Sequence, residues 1–166
     1  MPAIGAQPKG SGIRAGIVLM FVLASTVVGA DNDRVFDTEL HQVRVTTVAA
    51  GLEHPWSVAF LPDGKFLITE RPGRLRIVDA KGNVSAPLQG LPKVAAVGQG
   101  GLLDVALAPD FAQSRRIYFS YAEPRDGGNG TSVARATLVL DGAGSAALED
   151  VEVIFRQEPT YDGELH

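Results

Sequence analysis

One seven-residue phrase occurs twice in this chain, and its spacing restricts the fold more than any other feature. Ser57-Val58-Ala59-Phe60-Leu61-Pro62-Asp63 returns as Asp104-Val105-Ala106-Leu107-Ala108-Pro109-Asp110, an interval of 47 residues from position 57 to position 104. A fixed period of this size is the signature of a repeat architecture with one supersecondary unit per repeat. Each copy is a short strand running into a Pro-Asp turn, so the unit is β rather than helical. Four-stranded propeller blades run to roughly 40–50 residues. The competing reading is two unrelated strand-turn units that share a pattern by coincidence.

Residues 1–30 read as a secretory signal peptide rather than as part of the fold. Lys9 and Arg14 make the start positive, and no acidic residue precedes Asp31. Residues 15–28 form an apolar run, and Val28-Gly29-Ala30 offers small or apolar residues at the −3 and −1 positions of a cleavage site. The run is shorter than the roughly 20 residues a membrane span needs. The alternative is an uncleaved N-terminal anchor. In both cases the body of the chain is exported, so a periplasmic or secreted location is expected, with no membrane span after cleavage.

Composition excludes several functions. Two of the 15 basic residues fall in the leader, which leaves 13 against 19 acidic residues and a net charge of −6. An acidic surface without a basic patch argues against nucleic acid as a partner. The absence of cysteine rules out disulfides, thiolate metal sites and Cys nucleophiles.

Residues 31–166 amount to just under three repeats of 47, whereas a propeller typically closes with four to eight blades. The expectation is therefore an all-β partial propeller of about two to three blades, the N-terminal piece of a longer protein. Residues 31–39 read as a flexible lead-in and residues 40–166 as the blades. Strands are expected over 41–49, 56–61, 66–70 and 74–79 in the first unit. In the second they are expected over 102–107, 117–121, 131–140 and 149–155, with a turn across 125–130. No segment beyond the leader sustains a helical period.

The segment with most chemical promise is Val97-Gly98-Gln99-Gly100-Gly101-Leu102-Leu103-Asp104. Its glycines permit a tight bend or a close approach by a ligand. Gln99 both donates and accepts hydrogen bonds, which suits a sugar or a quinone carbonyl. In a propeller the loops entering the innermost strands gather at one mouth of the central channel, and ligand sites favour such concave places. The alternative is a Gly-rich linker with a solvated Gln. No Gly-x-Gly-x-x-Gly or Gly-Lys-Ser/Thr opens a helix, so this is not a nucleotide loop. His166 is the second candidate, because a histidine is the usual general base for a hydroxyl proton. Its alternative is a solvated terminal residue. In His54-Pro55-Trp56, Pro55 is expected to fix a turn and Trp56 to pack between blades, with sugar stacking as the other option for Trp56. Thr69-Glu70-Arg71 reads as an exposed ion-paired strand end, worth little energetically. Asp104 and Asp110 are isolated carboxylates and do not make a calcium site, so no metal ligand is assigned.

At these residues the chain resembles the soluble, pyrroloquinoline-quinone (PQQ)-dependent sugar dehydrogenases of the glucose/sorbosone dehydrogenase family, and more narrowly its aldose sugar dehydrogenase branch. The resemblance is carried by Gly51-Leu52-Glu53-His54-Pro55-Trp56, by Phe60-Leu61-Pro62-Asp63-Gly64 with Thr69-Glu70-Arg71, and by Gly98 to Asp104 running into Pro109-Asp110-Phe111. It implies a six-bladed propeller that oxidises the anomeric carbon of an aldose to a lactone by hydride transfer to PQQ, with calcium assisting. An electron acceptor then takes the electrons onward. It also implies His166 as the catalytic base and Gln99 as the glutamine near substrate and quinone. The family's calcium ligands, and the Arg, Lys and Asn residues that hold the quinone, lie further downstream than residue 166. The reading of a different class is a non-catalytic exported propeller that binds glycan or protein.

Overall fold

Alternating apolar positions and Pro-Asp or Gly turns build two antiparallel sheets in succession, one per repeat. The computed structural model describes residues 33–140 and 146–162. Residues 1–30, read above as a signal peptide, and His166 lie outside the described residues. A first sheet has the order β3-β4-β5, from Pro55–Phe60, Phe66–Glu70 and Arg74–Val78. A second has the order β6-β7-β8-β9, from Leu102–Leu107, Arg116–Arg125, Gly128–Leu140 and Ala146–Arg156. These are a three-stranded and a four-stranded blade of a partial propeller, all-β as expected, with β3 and β6 innermost and side by side. Among the described residues no helix is long and apolar enough to cross a membrane.

The sequence period is also a structural period. Both inner strands slip register against their neighbours, between Pro55 and Val58 in β3 and between Leu102 and Val105 in β6. The two bulges occupy equivalent positions in the repeat. Each leaves a backbone N–H outside the ladder, and each sheet satisfies it with a hydroxyl. Ser57 N–H donates to Thr69 Oγ1 at 3.0 Å, and Asp104 N–H donates to Ser120 Oγ at 3.1 Å. The two repeats then bond directly to each other. Ser57 Oγ donates to Asp104 Oδ1 at 2.5 Å, and Thr69 Oγ1 donates to the Leu103 carbonyl at 2.7 Å. Thr69 is fully buried, so Thr69→Val should cost about 1–3 kcal/mol by stranding the Ser57 N–H. Urea titration of the full chain checks this, and an unchanged midpoint would refute it.

Leu61, Leu67 and Leu75 of the first repeat pack with Leu102, Ile117, Phe119 and Tyr121 of the second in one core. Four features differ from expectation. The strand expected over 41–49 in the first unit is shorter, Gln42–Val45, and lies outside the sheet of the first blade because it pairs with residues 34–37. Residues 34–37, read as loose, form strand β1 (Arg34–Asp37), which pairs with β2 (Gln42–Val45) in a separate two-stranded sheet. The turn expected over 125–130 is confined to Asp126-Gly127, because β7 and β8 pair as far as Arg125 and Gly128. A single helical turn, α1 (Phe111–Ser114), follows the second Pro-Asp, and its Phe111 is buried in the core.

Candidate functional site

The inner strands start at one end of the blades, and a cavity of about 570 Å³ opens there, lined by Trp56, Arg71, Gly98, Gln99, Leu103 and Thr131. Gln99 stands on a turn closed by a 2.8 Å bond from Gly100 N–H to the Val97 carbonyl. Gly98 takes a φ of 54° in this turn, a backbone state that favours glycine. The amide of Gln99 is exposed to the cavity.

Trp56 is not buried between the two described blades. It is 58% exposed and forms part of the cavity wall. The physical reason is the β3 bulge, since bulges re-aim side chains. Val58 and Phe60, beyond the bulge, instead line an apolar cavity of about 500 Å³ on the first sheet, together with Phe66, Ile68 and Val78.

The expectation for Thr69-Glu70-Arg71 is overturned. Glu70 is 1% exposed and is not a surface pair. Its carboxylate accepts the Glu53 N–H at 2.5 Å and Arg74 Nε at 2.7 Å, with Arg76 Nη1 at 3.6 Å. Burial alone would raise its pKa. The bond from Arg74, the Glu53 N–H and the two guanidinium charges outweigh that and hold the acid below the ordinary range. Glu70 thereby ties down the loop that delivers Trp56. Arg71 pairs with no carboxylate among the described residues. Its Nη1 donates to the carbonyls of Gly98 at 2.6 Å and Gly100 at 3.0 Å, on either side of Gln99. Its own carbonyl accepts the Leu102 N–H at 2.9 Å. A Cβ on Gly101 would come within 2.4 Å of that carbonyl oxygen, so only glycine permits this approach.

The far wall is the β7–β8 hairpin. Glu123 accepts Arg156 Nε at 2.8 Å and Ser132 Oγ at 2.7 Å. The Arg156 bond lowers its pKa, and burial opposes it. Arg125 donates to Glu158 and to the Gln157 carbonyl. The chain then bridges back to the hairpin, with Asn129 N–H donating to the Tyr161 carbonyl at 3.0 Å and Tyr161 N–H to the Asn129 carbonyl at 2.9 Å. Residues 157–161 are thus held at the same end of the blade as Thr131 and Gln99. Of the two predicted site residues, Gln99 lines the cavity and His166 lies outside the described residues. Arg71 was missed, and no local sequence signal betrays it, because its partners lie 27 and 29 residues away.

Two adjoining blades with a glycine-flanked amide and an exposed indole at the inner-strand starts define a partial propeller with a cavity at that end. The chain belongs to the glucose/sorbosone dehydrogenase family, whose family model matches residues 52–166. It is 51% identical over 119 residues to the aldose sugar dehydrogenase YliI of Escherichia coli, covering 70% of this chain and 31% of that protein. It is similar to the crystal structure of the soluble aldose sugar dehydrogenase from Escherichia coli in the apo-form, at 50% identity and a TM-score of 0.62, over 68% of this chain and 32% of that one. It is also similar to the PQQ-bound form of the aldose sugar dehydrogenase from Streptomyces coelicolor, at 33% identity and a TM-score of 0.56, over 68% of this chain and 33% of that one. The chain therefore spans about a third of the length of these relatives. The family read from the Gly98–Asp104 and Pro109-Asp110-Phe111 stretches is the family found, one of oxidoreductases acting on sugars.

Proposed function

We propose that the described blades form one wall of the active site of an exported aldose dehydrogenase, which oxidises the sugar C1 hydroxyl to a lactone. The observation that carries this reading is Gln99, held on a glycine turn at the cavity beside Trp56. The cavity wall fits one edge of a planar quinone: the indole of Trp56 offers a flat face, the Gln99 amide offers a donor and an acceptor, and the bare backbone at Gly98 permits close approach. When bound, PQQ supplies the two-electron acceptor for the hydride leaving C1. Gln99 holds a sugar hydroxyl or a quinone oxygen. Trp56 covers the apolar face of the ring and excludes water. His166 takes the C1 hydroxyl proton. The described residues hold no group of three His, Asp or Glu that fits calcium, so no step is derived through that ion.

The chain spans about a third of the length of its relatives, and the resemblance implies that most of the quinone-holding residues belong to the remainder. The 166-residue chain alone is therefore expected to show no turnover when supplied with PQQ, calcium, glucose and an artificial electron acceptor. Turnover above a protein-free blank would overturn this. The intact protein, assayed in the same way, should oxidise aldoses. Binding of sugar without turnover by the intact protein would favour the non-catalytic propeller instead.

A further inference from the structure

The geometry points to Arg71 as the positioning residue for Gln99. The inference rests on the reading of Gln99 as a ligand-contacting group and adds how that group is held in place.

Gln99 has no described hydrogen bond of its own to fix it, and its side chain is exposed. What is fixed is the backbone on either side. One guanidinium nitrogen of Arg71 uses its two protons on the carbonyls of Gly98 and Gly100. The first bond fixes the Gly98–Gln99 peptide plane and the second the Gly100–Gly101 plane, while the Gln99–Gly100 plane between them is held by the Gly100 N–H on the Val97 carbonyl at 2.8 Å. Without that clamp a turn containing Gly98, Gly100 and Gly101 would have wide backbone freedom. The main chain of Arg71 is itself anchored from two sides, by its N–H to the His54 carbonyl at 3.0 Å and by its carbonyl to the Leu102 N–H at 2.9 Å. The clamp thus runs from the start of the first inner strand to the start of the second. Hydrogen bonds from a charged donor are stronger than neutral ones.

The chemistry asks for two N–H donors at one point, not for a guanidinium as such. Arg71→Met keeps the aliphatic stem that lies against Gly101 and removes the donors. Arg71→Lys keeps an ammonium with three. Amide hydrogen exchange on the full chain tests the clamp directly. In Arg71→Met, exchange of the Gly100 amide, the one N–H of residues 97–100 that is hydrogen-bonded within the turn, should rise about tenfold or more, as the loss of two charge-assisted bonds implies. Leu102, whose N–H is held by the main chain of residue 71, should stay protected, and Arg71→Lys should recover much of the protection at Gly100. Unchanged exchange there, or a rise spread evenly through β3 to β6, would overturn the inference.

A second arm reads function in the intact enzyme. Arg71→Met and Gln99→Ala should lose similar fractions of kcat/KM, and the double variant should lose no more than the worse single one. Additive losses would overturn the positioning role. Full activity in Gln99→Ala would instead overturn the reading of the site, while the exchange result decides the clamp by itself.

Discussion

Glu70→Ala should lower the unfolding free energy by about 3 kcal/mol, the low end of the range for removing one member of a buried ion pair. The low end applies because the Arg74 side chain keeps 30% of its exposure and recovers some water once its partner is gone. What remains stranded is the Glu53 N–H and the inner part of Arg76, which is 18% exposed. The same carboxylate makes stability depend on pH. Its folded pKa lies below the unfolded value, so its contribution is fully present above about pH 4.3, the ordinary glutamate value. That contribution is lost as pH falls through the folded pKa, because the unfolded chain binds the proton first. Urea titrations at pH 7 and at pH 3 check both statements. Glu70→Ala should be much weaker than the parent at pH 7, and the gap should narrow at pH 3. An equal gap at both values would mean that the carboxylate charge contributes nothing.

The largest effect on turnover is expected at His166. In the intact enzyme, His166→Ala should reduce kcat by about 10²–10⁴, the usual share of a positioned general base. The support lies in the path of the chain just before it. Arg125 and the Asn129–Tyr161 bridge bring residues 157–161 back to the hairpin that also carries Thr131 of the cavity wall. If His166 is the base, the loss should shrink when a small exogenous base such as imidazole is added. A variant that retains parental kcat would remove His166 from the mechanism.

The blades were legible because their signals are local. Pro62-Asp63-Gly64 and Pro109-Asp110 close the inner strands, and β4 and β6 begin and end where alternation says they should. The strand β1 was not legible, since Asp33, Arg34 and Asp37 carry no apolar period and the strand exists only by pairing with β2. The helical turn at Phe111–Ser114 is too short to show a period. Glu70 and Arg71 read as surface charge because charged triplets usually are. Burial of Glu70 depends on Glu53, Arg74 and Arg76 converging in space, although the tight turn between Glu70 and Arg74 was a visible hint that the two face each other across a hairpin. Trp56 was misjudged because a bulge cannot be seen in a run that keeps its alternation in sequence.

The paired kinks in β3 and β6 have one more implication. Each sheet absorbs its kink internally, through Thr69 in one and Ser120 in the other. Side chains upstream of the two kinks can therefore change without disturbing the ladders below them, provided that Gly101 and the main-chain bonds at Glu53 and His54 are kept. Descendants of such a duplicated unit would be expected to trade ligands by rewriting side chains over 52–54 and 97–100 while the rest of each blade stays put.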